Sequence, residues 1–275
     1  MKCIFVRLAL VCVSIIAISL ILTGGVSARV DTKALVGFWL FDQESGDTVK
    51  DNSENGNDVT IDSGKLTDDG KFGKALLLNG ASDFAKTDTQ LINPEEGTIT
   101  LYLRADNPSK SDQHLIYTGA GGDGWCDQNE FHLAFRGGSP LNFTNCSNKL
   151  VGCDPCRVWD VVSSVTPAKG QWHHLAVTWK VKEFARIYAD GTVTEKAPVG
   201  EINSKDWEQT VFIGRPGSNS RFFEGAIDEV AIFDTVLTDD NIKSIMGDGL
   251  EKALGISAIF PSGKIATIWA SIKSR

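Results

Sequence analysis

Apolar side chains recur at every second position in segment after segment of this chain. Leu175, Val177 and Trp179 alternate with Ala176 and Thr178, the period of a strand with one face buried. Asp190-Gly191 then separates Arg186-Ile187-Tyr188-Ala189 from Thr192-Val193-Thr194. Asp-Gly favours a two-residue hairpin loop because both central positions can take positive φ. The same alternation predicts strands over 35–41, 75–78, 98–103, 114–118, 130–136, 158–165, 210–214 and 226–233. In the fifth of these, Phe131, Leu133 and Phe135 alternate with His132 and Ala134. Residues 42–57, rich in Asp, Asn, Ser and Gly, read as a long polar loop. One helix is predicted, with Thr238 as its cap, Asp239 and Asp240 at its positive end, and Ile242, Ile245 and Met246 on one face. Beyond Gly249, Leu254, Ile256 and Ile259 fit a last short strand, and Ile265, Ile268, Trp269 and Ile272 have helical spacing. Short strands with turns every ~8–12 residues define the class: an all-β antiparallel sandwich or jelly roll with one short helix after its closing strand.

The N-terminus stands apart from that pattern. Lys2 and Arg7 precede an uncharged apolar run from Leu8 to Leu22, followed by the small residues Ser27-Ala28. This is the layout of a secretory signal peptide over residues 1–28. The alternative is an uncleaved anchor, but the run is about fifteen residues against the ~20 of a spanning helix. Later segments are too short or too polar to span a membrane. The expected location is therefore secreted, extracellular or at the cell surface, or periplasmic if a bacterium retains the protein. Removing two basic and no acidic residues leaves a mature balance of 25 minus 35, or −10. Nucleic acid is excluded as a partner, because phosphate binding needs clustered Lys and Arg. Carboxylates suit calcium, which takes oxygen ligands.

Cys126, Cys146, Cys153 and Cys156 lie close together in the mature part. In an exported chain they predict two disulfides of open connectivity. A zinc site is the alternative, since Cys153 and Cys156 have C-x2-C spacing, although Cys126 and Cys146 do not. Asn142-Phe143-Thr144 and Asn145-Cys146-Ser147 fit the N-glycosylation pattern.

Several phrases together resemble one family. Gly170-x-Trp172-His173-His174-Leu175-Ala176-Val177 with Tyr188-Ala189-Asp190-Gly191 is similar to the centre of a concanavalin A-like, laminin G-like jelly roll. Phe222-Phe223-Glu224-Gly225-Ala226-Ile227-Asp228-Glu229-Val230, followed by Leu237-Thr238, resembles its closing strand and helix. Phe38-Trp39-Leu40-Phe41-Asp42 resembles its first strand, and Gly97-Thr98-Ile99-Thr100-Leu101 another. The resemblance covers residues 33–247 and leaves 248–275 as a tail that packs on the sandwich or joins a partner. It implies a structural Ca2+ held by Asp228, with backbone carbonyls of Asp42 and Gly80 nearby. Relatives that place the ion at the rim imply Asp51, Asn55 and Asn57 instead; the same loop also reads as a series of Asx turns without metal.

Sugar sites pair an aromatic plate with amide or carboxylate groups. Trp125 with Asp127 and Asn129 supplies both in one loop, and Trp159 and Trp207 also sit among polar residues. Trp125 reads equally as an apolar cover over disulfides. Trp39, Trp172 and Trp179 read as core. Catalysis is not expected. The Glu-x-Asp-x-x-Glu strand of glucanases in the same superfamily is missing. On a regular strand Asp228 and Glu229 point to opposite faces, and Glu224 lies ~13 Å from Asp228, too far for a carboxylate pair. His173 and His174 also face opposite ways and have no Ser or Cys nucleophile beside them in sequence. The expectation is a non-catalytic module that binds a glycan or an extracellular protein. The alternatives are a structural or adhesive surface component and, less favoured, a glycan-cleaving enzyme.

Overall fold

The computed structural model describes residues 30–119, 130–146, 157–196 and 210–256. Their strands are β1 (Leu35–Trp39), β2 (Thr48–Val49), β3 (Val59–Ser63), β4 (Lys65–Thr67), β5 (Ala75–Asn79), β6 (Phe84–Thr87), β7 (Glu96–Ala105) and β8 (Gln113–Thr118). They continue as β9 (Glu130–Phe135), β10 (Leu141–Cys146), β11 (Arg157–Val162), β12 (Trp172–Lys180), β13 (Phe184–Ala189), β14 (Thr192–Lys196), β15 (Val211–Ile213) and β16 (Glu224–Phe233). Two helices close the described chain, α1 (Asp239–Asp248) and α2 (Leu250–Leu254).

The strands form two antiparallel sheets. The first runs β14-β13-β12-β7-β16-β5-β4, with β1 also paired to β16; the second runs β11-β10-β9-β8-β15-β6-β3-β2. Between them lies one large core that includes Ile99, Leu101 and Leu103 from β7 and Phe131, Leu133 and Phe135 from β9. Side chains alternate across a strand, so each of these segments sends every second residue inward. Aromatic rings fill the middle: Phe131 and Trp179 have centroids 4.9 Å apart, and Phe131 and Phe143 4.7 Å. Edge-on and tilted pairs of this kind add ~0.5–1.5 kcal/mol each beyond their buried area. Gly97 is required by close approach: a Cβ there would lie 2.5 Å from the Trp179 ring.

The hairpin reading holds. β13 and β14 are joined by Asp190 (φ 48°) and Gly191 (φ 80°), both left-handed, as a two-residue turn demands. Asp190 also ties the hairpin back to β12. One carboxylate oxygen lies 2.7 Å from His173 Nδ1 and the other accepts the His174 amide at 2.9 Å. Burial raises the Asp190 pKa, but these bonds outweigh it and hold the carboxyl below its ordinary value.

Three expectations need correction. The polar stretch 42–57 contains a short strand, β2, paired with β3. Leu254, expected to begin a short strand with Ile256 and Ile259, instead ends a helix over 250–254 that Gly255 terminates at φ 64°, and Ile259 lies outside the described residues. The tail therefore begins packed on the sandwich, with Leu250, Ala253 and Leu254 buried. Finally, Trp39 and Trp179 are core as expected, but Trp172 is only partly buried, with the Arg104 guanidinium 5.4 Å over its ring.

Candidate functional site

A sandwich has two faces turned away from the core, and here they differ. The outward face of the first sheet is closed. Phe38, Leu40, Ala176, Tyr188, Ala231 and Phe233 form a second apolar cluster with Ile242 and Ile245 of α1 and Leu250 and Leu254 of α2. The amphipathic helix covers its own apolar stripe there, as sequence spacing predicted. Its N-terminus is fixed by a capping box between Thr238 and Asn241. Tyr102 Oη donates to the Met246 carbonyl, and Thr100 Oγ1 lies 2.9 Å from His174 Nε2. Burial pushes the His174 pKa down to about 3, so the ring is neutral at ordinary pH.

Asp228 and Glu229 lie under this cover, and both point the same way. The ladder to β7 is irregular between Asp228 and Ala231, and Glu229 has φ 53°. This bulge overturns the expectation that the two carboxylates face opposite sides. Asp228 Oδ2 accepts the amides of Lys71 (2.8 Å) and Phe72 (3.0 Å), and Glu229 Oε2 accepts the amide of Leu250. Asp42 Oδ1 accepts the amide of Lys74 at 2.7 Å. Asp228 and Asp42 thus clamp one loop, 70–74, from two sides. Burial first, and then the Glu229 charge, push the Asp228 pKa up to about 8. Burial, with Asp42 and Glu251 nearby, pushes Glu229 up to about 7.

The candidate calcium ligands do not form one site. Gly80 lies beside Glu224, because Glu224 pairs with Asn79, so it is four strand residues from Asp228. Its carbonyl accepts the Lys110 ammonium, which also bonds the Phe222 carbonyl at 2.9 Å. Asp51 is buried and already accepts the Phe38, Ser53 and Asn57 amides and the Ser53 hydroxyl. Asn57 donates its amide to the Val36 carbonyl, as does Asn55. These bonds make the loop a network of Asx-type turns. A Ca2+ ion needs six to eight oxygens facing it. At Asp228 backbone N–H groups occupy that direction instead, so the residues present do not fit the ion. Among the described residues no three His, Cys, Asp or Glu side chains converge for a metal.

The outward face of the second sheet is polar and aromatic. Register aligns Thr60 with Lys86, Lys86 with Phe212, and Phe212 with Tyr117. Tyr117 in turn lies opposite His132, His132 opposite Thr144, and Thr144 opposite Asp160. Seven strands therefore present one transverse row, next to the core row Ile61, Ala85, Ile213, Ile116, Leu133, Phe143 and Val161. Thr60 is exposed, Lys86, Phe212 and Asp160 are partly buried, and Tyr117, His132 and Thr144 are buried. A hydrogen-bond chain backs the row. His114 Nε2 lies 3.0 Å from His132 Nδ1, His132 Nε2 is 2.9 Å from Glu130 Oε2, and Tyr117 Oη donates to Glu130 Oε1 at 3.1 Å. Burial, and then His132 and Arg221, hold the His114 pKa well below its ordinary value. Of this row, only Asp160, beside Trp159, and Thr144, in the Asn142-Phe143-Thr144 pattern, stand near a site expected from sequence. The signal lies in 130–135, where Glu130 and His132 alternate with the apolar face of the strand.

Trp159 is corrected as a sugar plate. It is 1% exposed and packs on Phe143 with centroids 5.4 Å apart. Asp160 beside it faces out, and period two sends Trp159 into the core. Asn145 faces the core as well and is fully buried, so its glycosylation pattern is inaccessible in the folded domain. Trp125, Asp127, Asn129, Trp207, Cys126, Cys153, Cys156, the segment 1–28 and the tail beyond Ile256 lie outside the described residues, as does the Cys146 side chain.

A sequence model of Laminin_G_3, described as concanavalin A-like lectin/glucanases superfamily, matches residues 79–243, more than half of the chain. The human adhesion G-protein coupled receptor D1 is 30% identical over 119 residues, 42% of this chain; the matched stretch is 13% of that receptor. Domain 4 of AbnA, an extracellular GH43 arabinanase from Geobacillus stearothermophilus seen with arabinotriose, has TM-score 0.62 at 19% identity, over 77% of this chain and 97% of that one. The binding domain of Botulinum neurotoxin DC in complex with SialylT has TM-score 0.58 at 13% identity, over 80% of this chain and 52% of that one. At such identities the likeness is one of fold. Among the described residues no helix is long and apolar enough to cross a membrane.

Proposed function

Since the chain belongs to the Laminin_G_3 family of the concanavalin A-like superfamily, we propose that it is an exported, non-catalytic module that binds glycans on the outward face of its second sheet. The observation that carries this reading is the accessible end of the transverse row, Phe212 with Lys86 and Thr60, backed by the buried Tyr117 and His132. It sets aromatic rings beside groups that donate and accept hydrogen bonds, the mixture a pyranose ring and its hydroxyls require. The opposite face offers no such surface, because α1 and α2 occupy it. Solved neighbours of this fold include domains seen with arabinotriose and with SialylT, which supports the ligand class. A module of this kind needs no acid–base pair. Glu224 and Asp228 stand four residues apart on β16, and Asp228 is committed to backbone amides.

Phe212 is the residue to test. It lies between Lys86 and Tyr117 in the row and is only partly buried. A glycan array on the mature protein is expected to give a set of bound saccharides. Phe212→Ala should weaken that binding about tenfold, the loss of one stacking contact of ~1–1.5 kcal/mol, while the melting temperature changes little. An array without any bound saccharide, or binding indifferent to Phe212→Ala, refutes the assignment of this face.

A further inference from the structure

We propose that Arg215 recognises an anionic group, a carboxylate or a sulfate, on a saccharide laid against Phe212; this inference rests on the glycan-binding reading of the same face. The guanidinium carbon sits 4.4 Å from the Phe84 ring centroid and 4.7 Å from that of Phe212, with Phe222 at 5.8 Å. These cation–π contacts hold the guanidinium between the rings. Its own loop fixes the rotation. Nε donates to the Pro216 carbonyl at 2.8 Å, Nη2 to the Gly217 carbonyl at 2.7 Å, and Nη1 to Asn219 Oδ1 at 3.3 Å. Gly214 (φ 89°) starts the loop and Arg221 (φ 59°) ends it, both left-handed. A guanidinium has five N–H donors. Three are used here, leaving one on each Nη without an acceptor among the described residues.

The charge around this fork is unbalanced. Arg215 is partly buried, and no carboxylate among the described residues forms an ion pair with it. Asp62 acts on it only at longer range, and burial pulls the guanidinium below its ordinary pKa. Lys86, across the strand pair from Phe212, adds a second cation and is partnered by Asp88 at 3.4 Å on the exposed side. A partly desolvated cation without a direct counter-ion is costly, and an incoming anion relieves that cost through a bidentate, charge-assisted pair. Stacked rings and loop carbonyls already hold the side chain, so little rotamer entropy remains to be lost on binding.

The test compares three probes by calorimetry: trigalacturonate, a sulfated chondroitin disaccharide and neutral galactotriose. The wild type should bind at least one charged probe about tenfold more tightly than the neutral one, and high salt should shrink the difference. A preference for the uronate or for the sulfated sugar identifies which anion fits. Arg215→Gln should remove the preference and leave neutral binding in place. Arg215→Lys, which keeps charge but loses the fork, should remove most of it with an unchanged melting temperature, and it serves alone if the Gln variant fails to fold. Equal binding of charged and neutral probes, with both lost in Phe212→Ala, would overturn the role of Arg215 and leave the glycan face standing. A preference that survives both Arg215 variants also overturns it. No binding of any probe defeats both readings.

Discussion

The two outward faces of this sandwich follow the same alternation, yet one lies under two helices and the other keeps an accessible end at Lys86 and Phe212. On the first sheet, β7, β12 and β16 send Tyr102, His174 and Asp228 outward, and each is buried with a partner. The helical pair α1–α2 completes that layer with Ile242, Ile245, Leu250 and Leu254. On the second sheet, β6, β15, β8, β9, β10 and β11 send out Lys86, Phe212, Tyr117, His132, Thr144 and Asp160. The difference lies at the end of the row, since Tyr117, His132 and Thr144 are as buried and bonded as Asp228, while Lys86 and Phe212 reach the surface. Asp228 and Glu229 are committed to backbone amides of their own chain, whereas the fork of Arg215 keeps donors to spare. Polar groups under a cover serve the fold, and polar groups left with spare valence serve recognition.

If that division is right, substitutions under the helices cost stability and leave binding alone, while substitutions in the Phe212 row do the reverse. The largest expected effect is Ile245→Ala. Ile245, on the inward face of α1, is fully buried, and removing a buried isoleucine side chain costs about 3 kcal/mol. Urea unfolding should show that loss, while saccharide affinity of the folded protein stays at the wild-type value. Loss of affinity in Ile245→Ala would break the separation of the two faces.

The Asp228 carboxyl gives the next effect and a pH signature. Its folded-state pKa is raised to about 8 by burial and by Glu229, against an ordinary aspartate value near 3.9 when unfolded. Between those values the unfolded chain binds fewer protons than the folded one, so stability falls as pH rises. This contribution is fully present below about pH 4 and lost as pH climbs towards 8. Melting temperature should therefore decline from pH 5 to pH 8, and Asp228→Asn should flatten the decline. A slope identical in wild type and Asp228→Asn would show that the carboxyl titrates normally.

Much of the fold was legible because β7, β9, β12, β13 and β16 carry an unbroken apolar face. The strands that escaped lack that signal. β10 holds Asn142, Thr144 and Asn145, and Asn145 is turned into the core against its polarity. β2 is only Thr48-Val49, and β3 and β4 are short and contain Asp and Ser, and Lys, respectively. α2 has barely more than one turn, too little for a helical period to show. The site was harder for a different reason. Lys86, Phe212 and Tyr117 are far apart in sequence and become neighbours only through strand register, which local patterns do not encode. Trp159 misled because its polar sequence neighbours belong to the other face of its strand. The bulge at Glu229 is set by the fold around it, and Asp-Glu in a strand gives no notice of a positive φ.

The smallest effect sharpens the comparison most, because it loosens the cover without removing any apolar contact. Thr238 Oγ1 accepts the Asn241 amide at 3.2 Å and donates to Asn241 Oδ1 at 2.9 Å, closing the first turn of α1. Losing an N-cap costs about 1 kcal/mol. In Thr238→Ala the first turn of α1 should fray, taking with it the bond from Tyr188 Oη to Asp239 Oδ1. Amide exchange should then rise in α1 and in the β12–β13 pair that it covers, because local opening draws on the least stable contacts first. Exchange in β8 and β9, on the far side of the core, should stay at the wild-type rate, and so should affinity for whatever saccharide requires Phe212. Faster exchange in β8 and β9 would mean that the two faces open as one unit, and stability could then no longer be altered on one without disturbing recognition on the other.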